Sequence, residues 1–321
     1  MNILITGGAG FIGHNVVKIL EEQGHTCTVI DTLTGYGFIP STEIAYLAAE
    51  RLKRINAVPI KLDIRDNLQA LFNHTRPNVV IHMASFPRQK VVGQNPTEAS
   101  DVMSTGLINL LETSARWKIV EKFVYISSSM VYGDFEVEVN EDAVCAPIGQ
   151  YSIMKYMGEK LVQDYSRRHK NFNNVIIRPS AVYGEWDVED RVVSKFMTQA
   201  LRGETLTVHG PDEILDFTYV EDTARGIALA ATSDAANGKI YNITRSAERQ
   251  YTLKDAAELA ISIAGAGSLV VGPRDLSFPK RGRLNISRAI NDLGYSPKVN
   301  VEEGFKKYYE WYKKNPVLWN R

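Results

Sequence analysis

Cysteine is scarce in this sequence, neither charge is in excess, and apolar runs are short. Cys27 and Cys145 are the two cysteines among 321 residues, too few for a disulfide framework, so we expect a reducing compartment. The 37 basic residues balance the 37 acidic ones, which argues against nucleic acid or an anionic membrane surface as a partner. Because the sequence has neither a membrane-length apolar stretch nor a signal peptide, we predict a cytoplasmic protein.

The first 31 residues predict a strand, a glycine-rich turn, a helix and a second strand. Gly7, Gly10 and Gly13 follow an apolar run. The first permits a tight turn, the second lets the backbone approach a pyrophosphate, and the third allows close helix packing. Asp31 ends the second strand, where a carboxylate can bind the adenosine ribose. Since it would repel a 2′-phosphate, we predict NAD rather than NADP.

Apolar runs alternate with helical patterns up to residue 184. This alternation predicts an α/β protein with a doubly wound, Rossmann-like parallel sheet. We place a polar loop at residues 32–40 and a candidate substrate loop at residues 86–96. We place strands at residues 3–5, 27–30, 58–66, 78–85, 122–126 and 175–184, and helices at residues 43–55, 97–117 and 151–170.

The remaining residues predict a smaller, interleaved C-terminal α/β lobe. We assign residues 1–178 and about 216–243 to an NAD-binding domain, and about 179–215 and 244–321 to a substrate-binding lobe. The substrate is then expected in the cleft between them. Further strands are predicted at residues 206–208 and 239–243, and further helices at residues 191–201, 219–232, 253–264 and 301–312.

Three charged or polar positions allow two interpretations each. Asp63, with Ile64, could contact adenine at the edge of the sheet, or Asp63 could cap the next helix. Arg281 could supply a cation to a diphosphate, or belong to a solvated basic loop. Cys145 could line the sugar site or pack as a loop thiol. His82 belongs to no metal-ligand pattern, so we expect no metal.

Ser128, Tyr151 and Lys155 form the candidate catalytic group. Oxidising a sugar carbinol requires a base that takes the hydroxyl proton. A free tyrosine has a pKa of about 10, so at neutral pH it is protonated and cannot act as that base. Lys155 lies one helical turn after Tyr151, and its ammonium favours the phenolate. Ser128 ends the neighbouring strand and can bridge the same substrate oxygen.

Five motifs spread over most of the chain share one pattern. They are TGGAGFIG at residues 6–13, SSSMVYG at 127–133, Tyr151 with Lys155, RPSAVYG at 178–184 and DFTYVED at 216–222. In these motifs the sequence resembles the extended short-chain dehydrogenase/reductases that modify nucleotide sugars. The resemblance implies that Tyr151 is the catalytic base, that Ser128 supplies the hydroxyl, and that Lys155 also holds the nicotinamide ribose.

We expect a wider set of binding residues, of which the resemblance assigns Met83, Ala84 and Ser85 to the path of the cofactor. Besides the glycines, Asp31 and the catalytic pair Tyr151 and Lys155, the expected cofactor contacts are Phe11, Ile12, Asp63, Ile64, Met83, Ala84, Ser85, Ser127 and Pro179. The expected substrate contacts are Arg88, Ser128, Ser129, Ser180, Arg191 and Arg281.

Four positions depart from the pattern of the family. Met130 stands where the dehydratases and decarboxylases carry an acid, and it cannot transfer a proton. Met103 replaces an asparagine beside the cofactor. Ala181 lacks the amide that meets the sugar diphosphate, and Leu215 replaces an arginine that often binds the nucleotide. The redox residues are intact, whereas the sugar pose is expected to differ from that of UDP-hexoses.

We therefore predict an NAD-dependent epimerase of a nucleotide-diphosphate sugar. A nucleotide-sugar reductase or dehydrogenase, a 3,5-epimerase or dehydratase, and a non-catalytic NAD sensor are the alternatives. The helices near residues 97–117 and 151–168 carry more apolar residues than one sheet face should cover, and the resemblance implies a homodimer that pairs through them. The sequence leaves the nucleotide, the sugar and the inverted carbon open.

Overall fold

The computed structural model describes residues 1–35, 40–188 and 190–320. Residues 36–39 of the predicted polar loop lie outside the described residues. The strands are β1 Asn2–Thr6, β2 Thr26–Asp31, β3 Ile60–Lys61, β4 Val79–His82, β5 Lys122–Ile126, β6 Asn173–Pro179, β7 Val182–Tyr183, β8 Thr205–His209, β9 Ile214–Leu215, β10 Thr218–Tyr219, β11 Lys239–Ile243, β12 Tyr251–Thr252 and β13 Ser268–Gly272.

The helices follow the same alternation in the first half of the chain. They are α1 Gly13–Glu22, α2 Ser41–Leu52, α3 Gln69–Thr75, α4 Gln89–Gln94, α5 Pro96–Ser100, α6 Leu107–Arg116, α7 Gln150–Arg168, α8 Val192–Leu201, α9 Val220–Thr232, α10 Leu253–Ala264, α11 Ser287–Leu293 and α12 Val301–Lys314. A π-helical turn, Asp101–Gly106, joins α5 to α6. None of the helices in the described ranges is long and apolar enough to cross a membrane.

Seven parallel strands form the main sheet of the described residues, in the order β11-β6-β5-β4-β1-β2-β3. The central strands are buried on both faces, as expected where helices cover both sides of a parallel sheet. One face packs against α1, α9 and α11, and the other against α3, α6 and α7. The predicted doubly wound sheet is thus confirmed.

A second hydrophobic core lies outside this sheet. It joins α8, α10 and α12 to the short pair of parallel strands β8 and β13, with buried aromatic side chains at its centre. We keep the sequence-based division into an NAD-binding domain and a substrate lobe as a proposal. It is supported by β11, which comes late in the chain and nevertheless pairs with β6 in the main sheet.

Three predicted elements differ from those observed. The third strand is confined to Ile60–Lys61, because a turn held by the Asp63 carboxylate follows it at once. The candidate substrate loop contains helix α4. The long helix predicted at 97–117 is interrupted by the π-helical turn. Helices α3 and α11 and strand β13 carry no signal that predicted them from the sequence.

Candidate active site

A cavity of about 740 Å³ runs along the carboxyl ends of the main-sheet strands. Its lining residues come from the ends of β1, β2, β4 and β5, and from β7, β8 and the start of α8. The strand order reverses between β1 and β4, and ligands of open α/β sheets bind at such a switch point. The cavity therefore lies where the fold favours a cofactor.

The glycine turn leaves no room for side chains on its inner surface. Gly7 has a φ of +70°, and a Cβ there would lie 2.7 Å from the Ala84 backbone nitrogen. A Cβ at Gly13 would lie 2.3 Å from the Gly7 carbonyl oxygen, so α1 packs directly on the turn that ends β1. Only glycine fits at either position. The other predicted residues of the turn also line the cavity, namely Gly10, Phe11 and Ile12.

Asp31 ends β2 and lines the same cavity. The backbone N–H of Leu33 donates to its Oδ1 at 2.9 Å, and that of Ala9 donates to its Oδ2 at 3.1 Å. Burial raises the pKa of this carboxyl, while the two amides and the nearby Arg51 oppose that rise. The carboxylate is thus fixed by backbone donors and keeps acceptor capacity for ribose hydroxyls.

The predicted adenine contact Asp63 is held by a neighbouring arginine. Its two oxygens accept bonds from the Arg65 backbone N–H at 2.9 Å, from Nε at 3.0 Å and from Nη2 at 2.8 Å. The arginine holds the pKa of this carboxyl below its usual value. Of the two sequence interpretations, the helix cap by Asp63 does not occur, since the N–H of Gln69 at the start of α3 donates to Asn67 Oδ1 instead. Most of the remaining predicted cofactor contacts line the cavity as well, namely Ile64, Met83, Ala84, Ser85, Ser127 and Pro179.

The three candidate catalytic side chains converge at the ends of β5 and the start of α7. Lys155 Nζ donates to the Ile126 carbonyl at 2.9 Å and lies 5.9 Å from the Tyr151 ring centroid. The Ser128 hydroxyl lies close enough to the Tyr151 phenol to lower its pKa, and its oxygen accepts the Met130 N–H at 3.2 Å. All three residues line the cavity.

Burial opposes charge on both titratable members of this group. It raises the pKa of Tyr151, against which Arg191 and the Ser128 hydroxyl act. It also lowers the pKa of Lys155 to about 7. At this buried site the phenolate and the ammonium therefore each depend on the opposite charge of the other. The phenolate is the form that a general base at this position requires.

Helix α4, in a segment predicted to be a loop, supports the candidate catalytic residue Tyr151. The Tyr151 backbone N–H donates to Gln89 Oε1 at 3.0 Å. Gly149, which immediately precedes α7, has a φ of +87°, and a Cβ there would lie 2.7 Å from Gln89 Nε2. Gln89 thus fixes the first turn of α7, a role that no sequence motif signals.

The predicted substrate arginines line the cavity in different electrostatic settings. Arg88 donates to the Asp190 carboxylate through Nη2 at 2.6 Å. Arg191 lies 3.0 Å from Asp187 through Nε. Arg281 has no hydrogen-bond or ion-pair partner within the described ranges, and burial lowers its pKa to about 10, so it stays charged. Ser129 and Ser180, the other expected substrate contacts, also line the cavity.

The four departures from the family pattern occupy distinct places. Met130 and Leu215 line the cavity, and Ala181 lines it with a φ of +36°. Met103 is buried in the π-helical turn and is not among the cavity-lining residues. Cys145 packs beside the buried cluster of Tyr132, Phe135 and Leu284, outside the cavity lining, and burial raises the pKa of its thiol.

Among the described charged residues that line the cavity outside every motif, Arg51 and Asp187 stand out because they are buried. Arg51, in the last turn of α2, and Asp187, after β7, are both buried. A single charged residue in a helical or loop pattern is typical of a solvated surface, so no sequence pattern places either one here.

The residues of the cleft fit NAD. The glycine turn excludes side chains, Asp31 offers acceptors for a ribose, and Tyr151 with Lys155 stands at the far end. The profile of the NAD dependent epimerase/dehydratase family matches residues 3–244. NAD is therefore the cofactor, as the sequence predicted.

Similar proteins cover nearly the whole chain. A putative UDP-glucose 4-epimerase of Methanocaldococcus jannaschii is 31% identical over 98% of this chain and 99% of its own. The dTDP-D-glucose 4,6-dehydratase of Mus musculus is 30% identical over 99% and 90%. Among solved structures, the UDP-glucose 4-epimerase of Thermotoga maritima with UDP-glucose has 30% identity and a TM-score of 0.88 over 98% of this chain and 100% of that one.

A second similar structure was solved with a nucleotide sugar and NAD bound together. The UDP-glucuronic acid 4-epimerase of Bacillus cereus, in complex with UDP-glucuronic acid and NAD, has 28% identity and a TM-score of 0.89, covering 98% of this chain and 100% of that one. The resemblance to extended short-chain dehydrogenase/reductases is thus confirmed. Together with the family match over residues 3–244, these similarities establish that the chain belongs to the NAD dependent epimerase/dehydratase family.

Proposed function

We propose that this protein is an NAD-dependent epimerase of a nucleotide-diphosphate sugar. It would oxidise one carbinol to a transient ketone and re-reduce the ketone on its opposite face. NAD, when bound, accepts the hydride and returns it. The observation that carries the proposal is the convergence of Ser128, Tyr151 and Lys155 beside Met130 in one cleft.

Each catalytic side chain then has a defined role. The Tyr151 phenolate takes the proton of the sugar hydroxyl and gives it back. The Lys155 ammonium stabilises that phenolate, and burial lowers the pKa of Lys155 to about 7. Ser128 bridges the phenol and the sugar oxygen. No further acid or base is needed, because the proton and the hydride both return to the sugar.

The residue at position 130 favours epimerisation over elimination. Removing water from a 4-keto sugar requires loss of the C5 proton, hence a second acid or base at the end of β5. Met130 lines the cavity there and has no titratable group. Ser129, its neighbour, has too high a pKa to act unaided. Dehydratase chemistry, which the name of the mouse relative indicates for that protein, therefore lacks a candidate residue here.

Two cations that line the cleft, Arg281 and Arg191, would bind the diphosphate of the substrate. Arg281 keeps its charge and has no hydrogen-bond or ion-pair partner among the described residues, and Arg191 lies within electrostatic range of Tyr151. Mass spectrometry of small molecules released from the denatured, purified protein would identify the nucleotide and sugar.

We further propose that the protein acts in the cytoplasm as a homodimer.

Turnover in heavy water tests the reaction type. An epimerase of this kind moves only hydride and hydroxyl protons, so we expect product without deuterium on carbon and no net NADH. Deuterium at C3 or C5 would show exchange of a ring proton and would replace this proposal by 3,5-epimerase or dehydratase chemistry. Net NADH would instead indicate a dehydrogenase.

A further inference from the structure

Arg51 reaches the cleft from the last turn of α2. The residue is buried and lines the cavity. Its Nε and Nη2 donate to the Trp186 carbonyl at 3.1 and 2.5 Å. Within the described ranges Nη1 makes no hydrogen bond, and because Arg51 lines the cavity, this donor is available to a ligand bound there.

The hydrogen bonds that hold this arginine go to a neutral acceptor. Asp187 and Asp31 lie within electrostatic range of it, but neither makes a close ion pair with it. Burial lowers the pKa of Arg51 to about 10, so it is charged at neutral pH. A buried guanidinium bound mainly to a carbonyl is well suited to receive an anion.

The neighbours of Arg51 indicate which anion this is. Asp31, where the adenosine ribose is expected, lies within electrostatic range of Arg51. So does Arg191, whose guanidinium carbon lies 5.6 Å from the centroid of the Phe11 ring in the glycine turn. Between the ribose and the nicotinamide, NAD carries a pyrophosphate with two negative charges, for which the turn itself offers only backbone N–H groups.

The other arginine at the adenosine end of the cleft is already neutralised. Arg65 forms ion pairs with Asp63 at 2.8 Å, Glu98 at 2.9 Å and Asp101 at 2.7 Å. It is thus held at the rim by three carboxylates. Arg51 has no such partner among the described residues and is the better candidate for the phosphates.

We infer that Arg51 is a further cofactor-binding residue, which donates through Nη1 to the pyrophosphate of NAD and complements the backbone donors of the glycine turn. Asp187 is a positioning residue for it. Asp187 is buried within electrostatic range of Arg51, accepts the Val188 N–H at 2.9 Å and pairs with Arg191 at 3.0 Å. The inference concerns cofactor binding alone, so it does not depend on the proposed sugar reaction.

Competition against bound, isotopically labelled NAD tests this inference on the whole protein. ADP-ribose and adenosine are titrated as competitors of wild type, Arg51→Gln, Arg51→Lys and the control Lys53→Gln. Lys53 is exposed at the end of the same helix and pairs with Glu50. The ratio of the two half-displacing concentrations cancels any general change in the pocket. Losing a charge-assisted hydrogen bond should make ADP-ribose about 10- to 100-fold weaker relative to adenosine in Arg51→Gln.

The remaining variants and a third competitor distinguish a pyrophosphate contact from a purely structural role of Arg51 and from a ribose contact. We expect Lys53→Gln to keep the wild-type ratio and Arg51→Lys, which keeps a charge, to fall between. An equal loss of ADP-ribose and adenosine binding would mean that Arg51 only supports the loop at Trp186, and would overturn the inference. The third competitor is ADP-ribose that carries a 2′-phosphate. A loss of affinity seen with this competitor alone would also overturn the inference, because it would place Arg51 at the ribose hydroxyl.

Discussion

At the scale of single residues, burial decides how the candidate catalytic group behaves. Tyr151 and Lys155 are both buried, and burial disfavours the charged form of each. An isolated phenolate or ammonium would be unstable here, whereas the pair can share the site. Neighbouring groups, namely Arg191 and the Ser128 hydroxyl, act in favour of the phenolate.

Tyr151→Phe should abolish most turnover and leave NAD binding intact, because it removes only the proton acceptor. Ser128→Ala should be milder, with a loss of about 10²-fold. Epimerase assays and the NAD content of the purified variants measure both effects. Tyr156→Phe, on the same helix and outside the cavity lining, is the control and should stay active. A Tyr151→Phe variant with the wild-type rate would exclude the mechanism.

Lys155 should make the stability of the NAD-free protein depend on pH. Its pKa falls from 10.5 in the unfolded chain to about 7 in the folded one. Below pH 7 both states hold the proton, and the full cost of burying the charge is present. Between about 7 and 10.5 the unfolded state binds more protons, so stability rises with pH.

Urea unfolding across that pH range, compared between wild type and Lys155→Met, measures this contribution. The difference in free energy of unfolding should grow in favour of wild type from pH 7 upward and stay flat below it. Lys160→Met, on the exposed side of the same helix, should show no such trend. A flat difference for Lys155→Met would show that the lysine keeps an ordinary pKa.

At the scale of elements, one buried ion pair ties the catalytic helix to two strands. Glu159 on α7 accepts bonds from Arg178 on β6 through Nε at 2.9 Å and through Nη2 at 2.7 Å. Ser127 at the end of β5 donates to the same carboxylate at 2.6 Å. Because Ser127 precedes Ser128 and Glu159 follows Lys155 by one turn, this pair holds the strand end and the helix in register.

Glu159→Gln should destabilise the protein by about 3 kcal/mol, because it leaves the buried Arg178 charge uncompensated. Asp164→Asn, which breaks exposed ion pairs with Arg167 and Arg168 on the same helix, should cost less than about 1 kcal/mol. Denaturant unfolding of both variants makes the comparison. Equal small losses would mean that the buried pair contributes little to the native state.

The sequence predicted those elements whose ends carry local signals. Helix α10 begins and ends as expected, because Thr252 and Asp255 form a capping box and Gly265 takes the left-handed conformation that ends it. Helix α4 has six residues and no side-chain cap, so nothing in its sequence distinguishes it from loop. The third strand ended early through the Asp63–Arg65 turn, a contact that apolar patterning does not encode.

The site was predictable to the extent that its residues sit in motifs. The glycine turn, Asp31 and the group Ser128, Tyr151 and Lys155 occur at fixed positions after strands or on one helix face. Arg51 and Asp187 come together only through folding, from a helix after β2 and a loop after β7. Their spacing along the chain carries no information about that contact, so no pattern could reveal it.

At the scale of the whole molecule, exposed apolar side chains on α6 and α7 suggest an interface. Ile108 on α6 is 40% exposed and Ile153 on α7 is 53% exposed, and the two helices pack against each other. The family resemblance implies that these helices pair with those of a second copy. Burying such side chains in a four-helix arrangement would stabilise a dimer through the hydrophobic effect.

We therefore predict a homodimer, with a mass about twice 35.9 kDa by light scattering at micromolar concentration. The double variant Ile108→Glu and Ile153→Glu should shift the protein toward monomer, because it would bury unpaired carboxylates at the interface. Val58→Glu changes an equally apolar side chain that is 84% exposed and lies on neither helix, so it should remain dimeric. A monomeric wild type would reject the homodimer. If instead the wild type is dimeric and the double variant stays so, the subunits pair through a surface other than α6 and α7.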